Sequence, residues 1–291
     1  MEVTGDSTGS VAIERPCLYL VATPIGNLAD ISLRAIETLR AADLILAEDT
    51  RTSLRLLDRY TIRRPLEAFH QHNESARAES LVRRMQEEAM ALALISDAGT
   101  PLLSDPGFPL VRAALAVGLP VRAVPGASAL LASLCVSGLP CDRFAFEGFL
   151  PARPAARRSA LEALTGDTRT LVFYESTHRI LASLADIEAI MGTQRPLVVA
   201  REITKLHETV YRGTVGEVRA AMTSDPHACR GELVLVLGGA PMQEDDGLPL
   251  RLLAALRGKL SARDAVEVVH VATGYPRNKL YALALAGGDH A

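Results

Sequence analysis

Between Ala91 and Gly107 the chain reads ALALISDAGTPLLSDPG, an apolar run that enters a stretch crowded with glycine, proline, aspartate and hydroxyl residues. Periodicity alone admits a strand or a helix here. The shortness of the run and its glycine-proline stop predict a buried strand that ends in a long, conformationally specified loop. Ordinary β–α connections are shorter than this one. Open α/β sheets build their ligand sites from such loops, at the carboxyl ends of their strands.

The same grammar recurs through the first half. Strands are expected at Cys17–Ala22, Leu44–Ala47, Ala91–Ser96 and Pro120–Val124. Between them, Leu33, Ile36 and Leu39 recur at helical spacing beside a second row of Arg34, Glu37 and Arg40. Asn73 is a candidate N-cap for a helix through Leu81, Val82 and Met85, and Gly118 a stop for one running from Phe108 to Val117. Strands alternating with helices predict a largely parallel sheet covered on both faces. Ser137-Gly138-Leu139-Pro140 breaks the pattern. Beyond it, strands are expected at Arg143–Phe149, Thr170–Tyr174, Leu197–Ile203, Glu208–Gly213 and Glu232–Leu237, with helices over Ala155–Leu164, Arg179–Met191 and Val215–Met222. The short gap between Ile203 and Glu208 predicts a hairpin, hence a mixed sheet. An acidic linker spans Ala240 to Pro249. A helix–turn–helix-like pair follows, opened by Ser261 and turned at Thr273-Gly274-Tyr275-Pro276. The expected division is a disordered leader at 1–15, α/β domains at 16–137 and 138–240, and a helical unit at 248–291.

With 291 residues, 48% of them hydrophobic, the chain can bury substantial cores. Its net charge of −3 excludes a generally basic nucleic-acid binder and leaves only local basic patches for such contacts. No apolar run is long enough for a membrane helix, and the N-terminus lacks the pattern of a signal peptide. The four cysteines, Cys17, Cys135, Cys141 and Cys229, form no C-x-x-C pair and suit a reducing cytoplasm. His70 and His72, even with His207, lack a further ligand type at fixed spacing, so no metal site is expected.

Three blocks then fall in order: LYLVATPIGNLAD from Leu18, LILAEDTR from Leu44, and the SDAGTP…SDPG loop. VPGASA from Val124, FEGFLP from Phe146, YES at Tyr174 and AREITK from Ala200 follow in register. Together they resemble the tetrapyrrole methylase superfamily of S-adenosylmethionine-dependent methyltransferases, over roughly Leu18 to Leu285. Within it they are similar to the branch that methylates a cytidine 2′-hydroxyl in the decoding region of 16S rRNA in the small ribosomal subunit. The resemblance implies two α/β domains with the cofactor between them, and a homodimer. A tetrapyrrole carbon methylase and a non-catalytic RNA-binding assembly factor are the rival readings. The absence of G-x-G-x-x-G after the first strand, where Pro24-Ile25-Gly26-Asn27 stands, argues against a dinucleotide-binding site.

Matched block by block, the resemblance implies that S-adenosylmethionine is held by Thr23, Pro24 and Gly26, then by Asp97, Ala98, Gly99, Thr100 and Ser104. Gly126, Ala127 and Ser128 follow, with Tyr174 and Ala200 from the second domain. Turn geometry alone also explains Pro24, Gly26 and Gly126. A ribose hydroxyl must lose its proton during or after methyl transfer. Glu48, Asp49, Asp105, Glu175, Glu202 and Lys205 could assist. The sequence does not rank them, and Glu175, Lys205 and Asp105 are taken as the catalytic candidates. Arg51, Arg153, Arg157, Arg179, Arg201 and Lys279 are candidates for RNA phosphates. The helical tail is open to two roles, RNA contact or packing. Arg230-Gly231-Glu232 departs from the related pattern, which carries lysine before the glycine; the positive charge is kept.

Overall fold

A computed structural model describes residues 13–241 and 247–286. Most of the expected leader, the centre of the acidic linker and the last five residues lie outside the described residues. The chain separates into one unit up to Ala240 and another from Pro241.

The first unit contains two sheets. Sheet one takes β1 (Cys17–Val21), β2 (Leu44–Ala47), β3 (Leu66–Ala68), β4 (Ala91–Ile95) and β5 (Val121–Val124), in the order β3-β2-β4-β1-β5. Every pairing is parallel. Side chains alternate across the strands, and both faces are dry along the central strands β1, β2 and β4. Tyr19, Val21, Ile45 and Ala93 meet α1 (Leu33–Ala41) and α2 (Thr50–Arg59) through Ile36, Leu39 and Leu57. Leu18, Leu46, Leu92 and Leu94 meet α3 (Glu74–Glu87) and α4 (Phe108–Ala116) through Val82, Met85 and Leu110. That two-faced burial is why the strands read as continuous apolar runs. Neighbouring strands β1 and β4 send their chains to helices on opposite faces. A crevice therefore opens beyond their carboxyl ends.

After α5 (Ala129–Ser137) the chain builds sheet two, ordered β6-β7-β10-β8-β9. Its strands are β6 (Phe144–Phe149), β7 (Thr170–Glu175), β8 (Pro196–Arg201), β9 (Thr209–Thr214) and β10 (Leu233–Leu237). β6 and β7 run parallel; the other pairings are antiparallel, including the expected β8–β9 hairpin. One face carries α6 (Pro154–Ala163), α7 (Ile180–Met191) and α8 (Val215–Ser224) over Leu171, Phe173, Val199 and Leu235. The other face packs Val172, Val198, Ala200, Val234 and Val236 against Leu130 and Leu134 of α5 and against Ile25. That seam joins the two sheets.

Local chemistry sets several boundaries. Thr214 accepts from Glu217 N while Glu217 reaches back to Thr214 N, a reciprocal cap that starts α8. Asn73 stands at the N-cap of α3 as expected, yet its side chain accepts from His70 N at 2.9 Å instead of capping the helix. Arg195 is buried and donates to the Gly238, Thr165 and Asp167 carbonyls, tying the start of β8 to the end of β10.

The second unit has its own small core. α9 (Gly247–Leu256), α10 (Ala262–Thr273) and α11 (Arg277–Ala286) bury Leu253, Val266, Val269 and Leu280 together. The expected helix pair is thus a triplet. Ser261 caps α10 through Asp264 N, and Gly274 ends it in the left-handed conformation at φ +71°. No helix among the described residues is long and apolar enough to cross a membrane.

Arg157 overturns one expectation. Its side chain is 4% exposed and grips Asp186 of α7 at 2.6 Å, so it clamps α6 to α7 and cannot reach a phosphate. Removing one partner of a buried pair strands the other charge. Arg157→Ala should therefore lower unfolding stability by about 3 kcal/mol in urea titrations, with no change in nucleic-acid affinity measured well below the melting temperature.

Candidate active site

The long loop after β4 does fold over the carboxyl edge of sheet one. Thr23 and Gly99 exchange backbone hydrogen bonds of 2.9 and 3.1 Å, which stitches the loop after β1 to the loop after β4. Thr23 Oγ1 adds a bond to Ser96 O at 3.2 Å. Gly99 lies at φ +85°, where a side chain would be strained. Leu102 and Ser104 nevertheless adopt positive φ, at 76° and 70°. The loop is held in this shape from outside, for Glu74 of α3 accepts from Gly107 N at 2.7 Å. A side chain at Gly107 would start 2.5 Å from Leu94.

A cavity of about 410 Å³ lies between this loop and sheet two. Of the residues expected to bind the cofactor, Asp97, Ala98, Gly99, Thr100, Ser104, Ser128 and Tyr174 line it. The others stand behind the wall. Thr23 makes the bridge just described. Gly126 lets the β5 loop approach β1, since a Cβ there would lie 3.0 Å from the Ala22 Cβ. Ala127 O accepts from Thr100 Oγ1 at 3.2 Å, and Ala200 is buried in the seam. Gly26, at φ +143°, has Lys205 packed against its bare Cα. Pro24 precedes that turn and is not on the wall. Sequence reasoning missed Phe149, Gly231 and Glu232 leading into β10, and Leu233 and Val234 of β10, all of which line the cavity. Phe146 and Phe149 stand edge-on to Tyr174, with ring centroids 4.9 and 5.5 Å away. The FEGF block holds Phe149, and Arg230-Gly231-Glu232 stands just before β10, so both stretches carried a signal in the sequence.

The carboxylates differ sharply in their surroundings. Asp105 titrates at about 6, raised by burial and, against a hydrogen bond from Ser96, by the charge of Asp97. Burial also raises Glu48, helped by the charges of Asp105, Asp97 and Asp49. Glu175 lines the cavity but is already saturated. Its Oε1 accepts from Ser176 N and Arg179 at 2.7 Å each, and its Oε2 from Ser183 at 2.5 Å. Lys205 Nζ lies 2.8 Å from Glu202 and 3.1 Å from Glu232. Burial opposes that ammonium, but the hydrogen bond to Glu202 and the charge of Glu232 outweigh it and raise its pKa. Burial likewise opposes the Glu202 carboxylate, and its bonds from Lys205 and Glu232 N outweigh this and lower it. Asp105 alone of the three catalytic candidates is free of an ion pair among the described residues.

The arginines do not form one surface. Arg51 is exposed and paired with Asp49 at 3.0 Å, and Arg153 is exposed at the start of α6. Arg179 is partly exposed and donates to Glu175 Oε1 at 2.7 Å. Arg201 is buried at the end of β8 and donates to Thr209 Oγ1 at 2.8 Å. Lys279 is exposed on α11, in the other unit.

The cavity suits an amphipathic ligand, with Ile25, Leu103 and aromatic rings on one side and carboxylates and hydroxyls on the other. Ser128 Oγ, buried and without a hydrogen-bond partner, faces it at the start of α5. Such an orphan asks for a ligand atom. The residues present thus fit a cofactor carrying a purine, a ribose and an amino-acid end.

Known proteins align with this chain along most of its length. The family model described as tetrapyrrole (corrin/porphyrin) methylases matches residues 17–219, and that of the RsmI C-terminal HTH domain matches residues 243–288. Ribosomal RNA small subunit methyltransferase I of Haemophilus influenzae is 47% identical over 273 residues, covering 92% of this chain and 96% of that protein. The protein of the same name from Xylella fastidiosa strain Temecula1 is 49% identical, covering 91% and 97%. Uroporphyrin-III C-methyltransferase from Thermus thermophilus, solved with S-adenosyl homocysteine, shares the fold at a TM-score of 0.52 and 21% identity, over 76% of this chain and 96% of that one. A diphthine synthase shares it at a TM-score of 0.57 and 16% identity, over 76% and 90%.

Asp105 binds its proton more tightly in the folded protein than in the unfolded chain, whose pKa is the ordinary one. Its contribution to stability is therefore present below about pH 4 and lost as pH rises through about 6. Asp105→Asn should flatten stability between those pH values relative to the unmodified protein, as read by denaturant midpoints at each pH. Parallel curves for the two proteins would show that the carboxyl is not held neutral.

Proposed function

The chain belongs to the tetrapyrrole (corrin/porphyrin) methylases, and we propose that its site moves a methyl group from S-adenosylmethionine to the 2′-hydroxyl of a cytidine in the decoding region of 16S rRNA. It is an enzyme, a methyltransferase that uses S-adenosylmethionine and acts on ribosomal RNA. The observation that carries this reading is the near-complete alignment with ribosomal RNA methyltransferases at 47–49% identity, the C-terminal unit included. A tetrapyrrole methylase has no evident use for that unit. The finer reading, with the small subunit as substrate, a homodimer and a cytoplasmic setting, is supported by the block-by-block resemblance. The division at 137 and 240 is kept as the functional one: cofactor loops, acceptor sheet and helical tail.

Bound in the cavity, S-adenosylmethionine supplies a methyl group on a positively charged sulfur. The protein supplies position and a proton acceptor. The loop after β4 offers backbone at Gly99 and the Asp97 and Thr100 side chains; Asp97 also accepts from Asp49 N at 3.0 Å, which fixes its direction. Tyr174 and Phe149 close the apolar side and exclude water. The acceptor hydroxyl approaches from sheet two. The Asp105 carboxylate, ionised above about pH 6, would take the proton of that hydroxyl. Glu175 acts by holding Arg179 and the start of α7, and Lys205 by bracing Gly26 and Glu202.

Labelled S-adenosylmethionine with small ribosomal subunits tests the function. Label at a ribose 2′-oxygen supports it; label only in a precorrin-type substrate, or none with either, overturns it. Asp97→Ala and Gly99→Val should each weaken S-adenosylmethionine at least tenfold by calorimetry, the first by losing a polar contact and the second by filling backbone space. Asp105→Asn should slow single turnover by about a hundredfold while cofactor affinity holds within about threefold. The unmodified enzyme should lose rate below about pH 6, and the variant should lose that limb.

A further inference from the structure

A second cavity, of about 340 Å³, opens on the far side of Gly231 and is walled by Arg201, Glu202, His207, His227 and Arg230. Gly231 lines both cavities. It sits at φ +79°, and the Glu202 carboxylate packs where its side chain would be. A bare backbone and one carboxylate are thus the whole partition at that point.

The wall carries more positive charge than it neutralises. Glu202 is committed to Lys205 and to Glu232 N. Asp225, the acid near Arg201, accepts from Tyr211 OH and His227 N. Arg230 is exposed and makes no ion pair among the described residues. Arg201 is 8% exposed, and its guanidinium reaches Thr209 Oγ1 but no carboxylate at contact distance; its Nε has no hydrogen-bond partner. A buried cation without a contact counterion is costly, and an anion that enters the cavity relieves it. His207 and His227 add ring N–H groups that can turn toward the same anion.

We propose that this cavity binds a backbone phosphate of the RNA substrate, next to the nucleotide whose ribose reaches the first cavity. The proposal rests on the RNA-methylating reading. Chemistry favours a phosphodiester over a carboxylate, because two guanidinium groups and two imidazoles lining one cavity supply donors for the several oxygens of a tetrahedral anion. Placement favours RNA over a free ion. A phosphate one glycine away from the cofactor cavity fixes the register of the strand, which is what phosphate contacts do in nucleic-acid complexes. Arg201 returns as a phosphate contact, joined by Arg230, the arginine that departs from the related pattern.

The test uses the full chain and an oligoribonucleotide of decoding-region sequence, with binding measured by fluorescence anisotropy across a salt series. Arg230→Gln should weaken binding roughly three- to tenfold and lower the slope of log affinity against log salt by about 0.7. S-adenosylmethionine affinity by calorimetry should stay within twofold, roughly, since Arg230 does not line the first cavity. Arg201→Gln should do at least as much; if it does not fold, His227→Gln takes its place. Unchanged affinity and slope in these variants, while the unmodified protein still methylates RNA, overturns the site alone. An unmodified protein that methylates no RNA overturns the functional reading and the site with it. If the variants lose only inorganic phosphate, followed by phosphorus NMR, and bind RNA normally, the cavity serves small anions and the proposal falls.

Discussion

Everything in the first unit depends on one apolar face finding cover. Val172, Val198, Ala200, Val234 and Val236 point away from α6, α7 and α8, so their side of sheet two would meet water if nothing else packed there. Burying each such side chain is worth about 1.5–3 kcal/mol. The cover is α5, the helix that leaves sheet one, together with Ile25 from the loop after β1. The seam sets the distance between the sheets, and the cavity is what remains at its end, where the glycine-rich loop is too polar to join it. The site is therefore the unfilled margin of a hydrophobic contact.

Legibility followed burial geometry. The central strands of sheet one, β1, β2 and β4, stood out because both faces are dry there and the sequence is apolar without interruption. β3 was missed because three residues carry no period, and α5 because it is apolar on all sides, with seam on one face and surface on the other. α2 was missed for the opposite reason: charged residues dominate it, and only Ser53, Leu56 and Leu57 are buried. At the site, the loop residues were legible through their glycines and aspartates. Leu233 and Val234 were not, since a β-strand entering a core looks the same whether or not its first residue borders a cavity. Charge misled most. Arg157 sits in a basic run, Arg153 to Arg158, that suggests a solvated or RNA-facing surface, yet its side chain is buried against Asp186 of α7.

Polar side chains divide into those that hold the frame and those left able to react. Glu175, Arg179, Arg195 and Lys205 have their hydrogen-bonding capacity used by neighbours. Asp105 makes no ion pair among the described residues, Ser128 Oγ and Arg201 Nε have no hydrogen-bond partner, and each residue borders a cavity. Unmet capacity at a wall is a better guide to chemistry than residue type, because a buried polar group without a partner persists only where something else compensates it.

Burial and the charges of Asp105, Asp97 and Asp49 raise the pKa of Glu48, and burial and the charge of Asp97 raise that of Asp105, so negative charge gathers beside Asp97 and Asp105 on the wall of the first cavity. Such a potential sorts occupants by charge. A ligand arriving with a positive centre relieves the crowding among the carboxyls and is held for doing so. The same carboxyls would hold less firmly an occupant that lacks such a centre.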